Sequence, residues 1–182
     1  MTTWITLFRG INVGGKNKLP MKVLVEQLDE LGLENVQTYI QSGNVVFDSA
    51  SKTASKSFIS KLSAEISASI EQRCGFRPAV MLITRKAFEE IVSLNPFPEG
   101  ESEPKSLHVF FLAEQAKSPD MDSLASAKSP TESCHLEGNA FYLHAPEGIG
   151  RSKLAANAEK YLGVSATARN WRTVQKLLEM VC

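Results

Sequence analysis

Cysteine is scarce in this 182-residue chain, and what there is forms no pattern. Cys74, Cys134 and Cys182 are widely spaced, odd in number and without a C-x-x-C, which argues against a disulfide framework or a zinc knuckle and leaves free thiols as the expectation. Long apolar runs are missing too. Trp4 to Phe8, Ala79 to Ile83 and Val109 to Ala113 are far too short to span a bilayer, and the first residues lack the basic start and longer apolar stretch of a signal peptide. A cytoplasmic protein without a membrane partner is expected. Histidine is limited to His108, His135 and His144, none with metal-ligand spacing and none in a nucleophile motif. No metal site, cofactor motif, general acid–base pair or oligomeric state is indicated, so no reaction can be assigned.

The composition that remains, 43% hydrophobic and 22% charged, rules out a disordered or fibrous chain. The net charge is zero but unevenly spread. Residues 1–25 hold four cations and no acid, and residues 148–182 hold six cations against Glu159 and Glu179, so each end carries +4 and the middle is acidic. Ends that met in space would give a neutral protein one basic patch.

Periodicity predicts an α+β fold. A strand at Trp4 to Phe8 precedes a helix from Pro20 to Leu31, with Pro20 at its first position. Next come a hairpin of Val36 to Gln41 and Val45 to Asp48 about Ser42-Gly43-Asn44, a helix from Thr53 to Arg73, and a strand at Ala79 to Thr84. After a short helix, Arg85 to Val92, and an acidic, proline-rich connection, the order repeats. It runs through a strand at Leu107 to Leu112, a helix from Pro119 to Ala127 capped by Ser118, and a hairpin of Glu132 to Glu137 and Ala140 to His144. A helix from Ser152 to Leu162, an extended piece at Val164 to Thr167 and a last helix from Trp171 to Val181 complete it. Two βαββαβ runs imply tandem ferredoxin-like units with antiparallel sheets, at residues 1–84 and 106–182, joined by residues 85–105. Each unit would leave one open sheet face to bury, and the last helix would pack across what remains. The hairpin stretches Ser42-Gly-Asn-Val-Val-Phe47 and Glu137-Gly-Asn-Ala-Phe-Tyr142 are alike. With a two-residue turn, His135, Tyr142, His144 and Glu137 share one face, which reads as a polar sheet surface.

Three stretches carry the candidate site. Arg9-Gly-Ile-Asn-Val-Gly-Gly-Lys-Asn-Lys-Leu-Pro20 has three cations, three glycines and no acid, a composition suited to aiming N–H groups and charge at an anion. It also fits the spacing of a nucleotide-phosphate loop. Asn17 stands where that motif needs a hydroxyl, however, and Pro20 delays the helix, so that reading is rejected. Pro146-Glu-Gly-Ile-Gly-Arg-Ser-Lys153 leads into a helix that Ser152 can cap, with Arg151 and Lys153 beside its positive end. Thr167-Ala-Arg-Asn-Trp-Arg172 leads into the last helix, where Arg169 and Arg172 oppose the dipole and Trp171 is a core anchor.

Together with Tyr39 to Phe47 and Asn95-Pro-Phe97, these stretches resemble a bacterial family of unknown function, DUF1697. The resemblance implies the same two-part ferredoxin-like fold and supplies no substrate. The family's motif positions fall on Arg9, Asn12, Gly15, Lys16, Ser42, Gly43, Asn44, Gly150, Arg151, Ser152, Lys153, Arg169, Asn170 and Trp171. The leading expectation is a cleft where these loops converge on a phosphorylated or other anionic small ligand, such as a nucleotide. Arg9, Lys16, Arg151, Lys153 and Arg169 would supply charge there, and Asn12, Ser42, Asn44, Ser152 and Asn170 directional hydrogen bonds. Two alternatives stand beside it. One is a nucleic-acid-binding module, although the aromatic signature of RNA-binding sheets is missing. The other is an interaction or scaffold module, which requires an exposed apolar patch.

Overall fold

Alternation of side chains along the central strands sets the architecture. In the computed structural model, which describes residues 1–51 and 54–181, β1 (Thr2–Arg9) turns Trp4 and Phe8 to one face. They pack there with Val45 and Phe47 of β3 (Asn44–Ser49), Leu24 and Leu28 of α1 (Met21–Glu30), and Leu62, Ile66 and Ile70 of α2 (Lys56–Cys74). The sheet is completed by β2 (Glu34–Tyr39) and β4 (Ala79–Thr84) in the order β2-β3-β1-β4, antiparallel throughout. The second run repeats the plan. Phe110 and Leu112 of β5 (Leu107–Leu112) and Phe141 and Leu143 of β7 (Ala140–His144) pack on Leu124 of α4 (Met121–Ala127). Leu154, Ala158 and Leu162 of α5 (Lys153–Leu162) complete that core. With β6 (Ser133–Glu137) and β8 (Ala166–Asn170) the order is β6-β7-β5-β8, again antiparallel. Each fully buried Leu or Phe contributes about 1.5–3 kcal/mol.

The result is two ferredoxin-like sheets, each with two helices, and a C-terminal helix α6 (Trp171–Val181). Residues Met1–Glu89 together with the chain from Lys176 form one compact unit, and Glu90–Gln175 form the other. The helix α3, Arg85–Ser93, and a 3-10 turn at Pro98–Glu101 lie between β4 and β5 in sequence.

Several boundaries move for identifiable reasons. Pro20 stands just outside α1, at its N-cap, rather than inside it. The hairpin strand β2 ends at Tyr39, and the loop is the four residues 40–43, with Asn44 already paired to Leu7. The hydrogen bond from Phe8 N to Gly43 O therefore corresponds to that from Leu112 N to Asn139 O, one residue out of step with the sequence likeness of the two hairpins. Ser55 caps α2, and the expected start at Thr53 lies outside the described residues. Asp120 rather than Ser118 caps α4, because its carboxylate accepts from Ser123 N at 2.9 Å. Glu132 turns back to Ser129 instead of opening β6, and β8 begins later than expected and pairs with β5 as far as Asn170.

The second face of each sheet is buried too. Ile5 and Leu7 in β1, and Val109, Phe111 and Tyr142 in the second sheet, are at most 1% exposed, as expected of faces that had to be buried. The Tyr142 hydroxyl donates to Ile91 O at 2.6 Å, and burial pushes its phenol up to about 12. The polar surface read around the histidines is thus limited to β6, where His135 Nε2 lies 3.6 Å from Glu137. His144 is largely buried, stacked on Phe97 and 3.7 Å from Glu99. His108 points to the helix side and is buried, which pushes its pKa down and keeps it neutral.

Candidate functional site

The connection from β1 to α1 is shaped by its own side chains. Ile11 and Leu19, at its two ends, are sunk in the first core. Between them Asn12 sits at φ +54°; its Nδ2 donates to Leu19 O at 2.9 Å and to Gln41 O at 2.8 Å, and its Oδ1 accepts from Leu19 N at 2.8 Å. Asn17 adds a bond from its Nδ2 to Gly10 O at 2.8 Å. At the tip, Lys16 N donates to Val13 O at 3.1 Å across Gly14 and Gly15, with φ +59° and +74°, the signs of a type I′ turn. The Lys16 N–H therefore closes a turn rather than lining an anion cradle. Arg9, Gly15, Lys16 and Lys18 are exposed around it.

The loop 40–43 is pressed against this connection. A Cβ on Gly43 would lie 2.5 Å from Phe8 Cβ and 2.6 Å from Ile11 Cδ1, and its φ of +72° also favours glycine. Asn44 is fully buried, and its Nδ2 donates to Ser42 Oγ at 2.8 Å and Tyr39 O at 3.2 Å. Arg9, Asn12, Gly15, Lys16, Ser42 and Asn44 are thus gathered on two joined loops. The amide N–H groups of Asn12 and Asn44 are engaged in holding those loops.

In the second unit the connection from β7 to α5 makes a short 3-10 turn, Ile149–Arg151, and Ser152 then caps α5 by accepting from Ala155 N at 2.9 Å. Arg151 and Lys153 are exposed at the positive end of that helix, where cations are unfavourable by about 0.3–1 kcal/mol each unless an anion offsets them. They border an open cleft of about 300 Å³, shared with Ser152, Lys128, Glu132 and Glu147. Among the described residues none of these charged groups is ion-paired. Glu132 is only 5% exposed, and its Oε2 accepts from Ser129 N at 2.9 Å while its own N–H donates to Ser129 O at 3.1 Å.

Gly150 lies within the 3-10 turn and does not line the cleft, nor do Arg169 and Asn170. Arg169 lies on β8 opposite Val109, on the face turned away from α4 and α5, and donates from Nη1 to Ala168 O at 2.8 Å. Burial pulls its guanidinium down to about 10, so it stays charged at neutral pH. Asn170 Oδ1 accepts from Thr173 N at 3.0 Å and caps α6. Trp171 is buried. Sequence reasoning missed Lys128, Glu132 and Glu147. The pattern Ser129-x-x-Glu132, a capping-box spacing placed outside a helix, was the available signal.

Among the described residues no group of three His, Cys, Asp or Glu side chains could hold a metal ion, and no helix is long and apolar enough to cross a membrane. Cys74 and Cys134 are free thiols, and Cys182 lies outside the described residues. The profile described as a protein of unknown function, DUF1697, matches residues 1–142. The chain belongs to that family. The match includes both loops of the first unit as well as Lys128 and Glu132, and ends before Glu147 and the stretch 150–153. The conserved bacterial protein SP0830 from Streptococcus pneumoniae, a solved structure, is 27% identical to this family member with a TM-score of 0.70, covering 100% of this chain and 99% of that one. No curated protein matches.

Proposed function

We propose that this is a cytoplasmic protein that binds a phosphorylated or other anionic small ligand in the second unit's cleft. The observation that carries the proposal is the set of three cations, Lys128, Arg151 and Lys153, lining one cleft without ion-pair partners among the described residues, two of them at a helix end whose dipole they oppose. An anion there would offset both penalties, and the Ser152 cap holds the helix end in place to receive it. Gly150 sits beside Arg151 in the 3-10 turn that leads to the cleft. Asn170 on β8 caps α6 and Arg169 bonds the Ala168 carbonyl, so neither acts by contact in the cleft. In the first unit, Asn12, Ser42 and Asn44 shape the loops that carry Arg9, Gly15 and Lys16. The test is calorimetric titration with pyrophosphate of the wild type and of the double variant Arg151→Ala, Lys153→Ala. Binding weakened at least tenfold, with no fall in melting temperature, is expected. A folded wild-type protein that takes up neither phosphate nor pyrophosphate would end the proposal.

A second reading, contact with nucleic acid, is favoured by one observation: Arg9, Lys16 and Lys18 are exposed around a turn without a nearby acid in sequence. It requires RNA or DNA binding that falls steeply with salt and weakens on Lys16→Ala. Salt-insensitive or absent binding would remove it.

A further inference from the structure

The cleft has a second pole besides its cations. Glu132 is a buried carboxylate with Oε2 tied to Ser129 N–H and Oε1 without a hydrogen-bond partner among the described residues, and Glu147 lines the same cleft. A buried carboxylate with one hydrogen bond has unmet acceptor capacity, and water or a ligand must meet it. Neither carboxylate is paired with Lys128, Arg151 or Lys153, so both charge types line the one cleft without forming an ion pair there. Such a lining complements a molecule that carries both an anionic group and hydroxyl donors. The cleft lining contains no aromatic side chain on which a nucleobase could stack, and its volume of about 300 Å³ is at the small end of ligand pockets, which run from roughly 300 to 1,000 Å³.

Resting on the anion-binding reading above, we infer that the ligand is a phosphorylated polyol, a pentose or hexose phosphate rather than a nucleotide. Its phosphate lies at Arg151 and Lys153 before α5, and its hydroxyl groups donate to Glu132. Ser129 N–H positions Glu132 by occupying one oxygen and leaving the other for the sugar. Arginine suits the phosphate through its planar fork.

The experiment is calorimetric titration of the full chain with inorganic phosphate, methyl phosphate, unphosphorylated glucose, and a panel of pentose and hexose phosphates. The proteins are the wild type and Glu132→Gln, in which the amide oxygen can still accept from Ser129 N–H. At least one sugar phosphate should bind the wild type ten or more times more tightly than methyl phosphate, and glucose should not bind measurably. Glu132→Gln should bring that sugar phosphate to the level of methyl phosphate, while methyl phosphate itself binds no more weakly than to the wild type because a negative charge has left the cleft. If methyl phosphate binds and no sugar phosphate does better, or if Glu132→Gln leaves the ratio intact, the sugar assignment is overturned while anion binding stands. If no anion binds the folded wild type, both fail. Should Glu132→Gln not fold, the wild-type ratio of sugar phosphate to methyl phosphate decides alone.

Discussion

The two ferredoxin-like units share strand order and helix placement, and their registers differ only by a shift between Glu34 and Gln37 in the first, yet they are elaborated at opposite ends of equivalent sheets. In the first, the special geometry lies where β1 ends: the connection 10–20, the four-residue loop 40–43 and the Asn12 bonds that join them. In the second, that end carries a two-residue hairpin turn and the connection 113–120, which contains Glu114 and Asp120 and a single cation, Lys117. Its cleft lies instead where β5 begins and β7 ends. The comparison teaches that the repeated frame is neutral with respect to chemistry. What distinguishes the units resides in their connections, which can change without disturbing strand pairing.

The sharpest way to break the comparison is at the two hairpin glycines. Gly43→Ala forces a Cβ to within 2.5 Å of the Phe8 Cβ, which backbone fixes, and adds the strain of φ +72°. A loss of about 3 kcal/mol or more is expected, seen as a fall in melting temperature of roughly 6–12 °C. Gly138→Ala meets nothing within 4 Å and has only its φ of +54° to oppose it, so about 1 kcal/mol is expected in the same measurement. Equal effects would mean that the two hairpins are less different than their loop lengths imply.

Asn12→Ala comes next, removing three bonds to main chain with no counterpart in the second unit. It should cost about 2–3 kcal/mol, and hydrogen exchange should rise first in residues 10–20 and 40–43. Unchanged exchange there would show that the buried Ile11 and Leu19 alone hold the connection.

The smallest effect is electrostatic. Hydrogen bonds from Thr3 at 2.6 Å and Asn35 at 2.8 Å hold the Asp48 carboxyl below its usual value. A folded pKa below the unfolded one gives stability that is present above the ordinary carboxylate range and lost as pH falls through the depressed value. Asp48→Asn should therefore lower stability slightly at neutral pH, leave the most acidic end nearly unchanged and so flatten the acid limb between them. In the second sheet the position equivalent to Asp48 is His144, so no matching carboxylate step arises there.

The frame was legible in the sequence because each sheet and helix is written in its own apolar period, and Ile59, Leu62, Ile66 and Ile70 or Trp171, Val174 and Leu177 need no partner to be seen. The site was only half legible. Arg151, Ser152 and Lys153 announce themselves by glycine, charge and a cap in succession. Lys128 and Glu132 come from a connection whose one signal, Ser129-x-x-Glu132, speaks of capping rather than of a site, and they join the cleft only because β6 and β7 pair in register. Asn12 shows the opposite failure. Its residue type suits a ligand as well as a loop, and only the carbonyls of Leu19 and Gln41, one of them 29 residues away, decide which use is made of it.

The buried tie from Tyr142 to the Ile91 carbonyl gives the second unit a built-in clock. Its phenol remains protonated up to about pH 12 as long as that unit is closed, so on a rapid jump to strong alkali the appearance of its phenolate reports the opening rate. The chain thus carries its own optical probe of how long the sheet that frames the cleft stays shut.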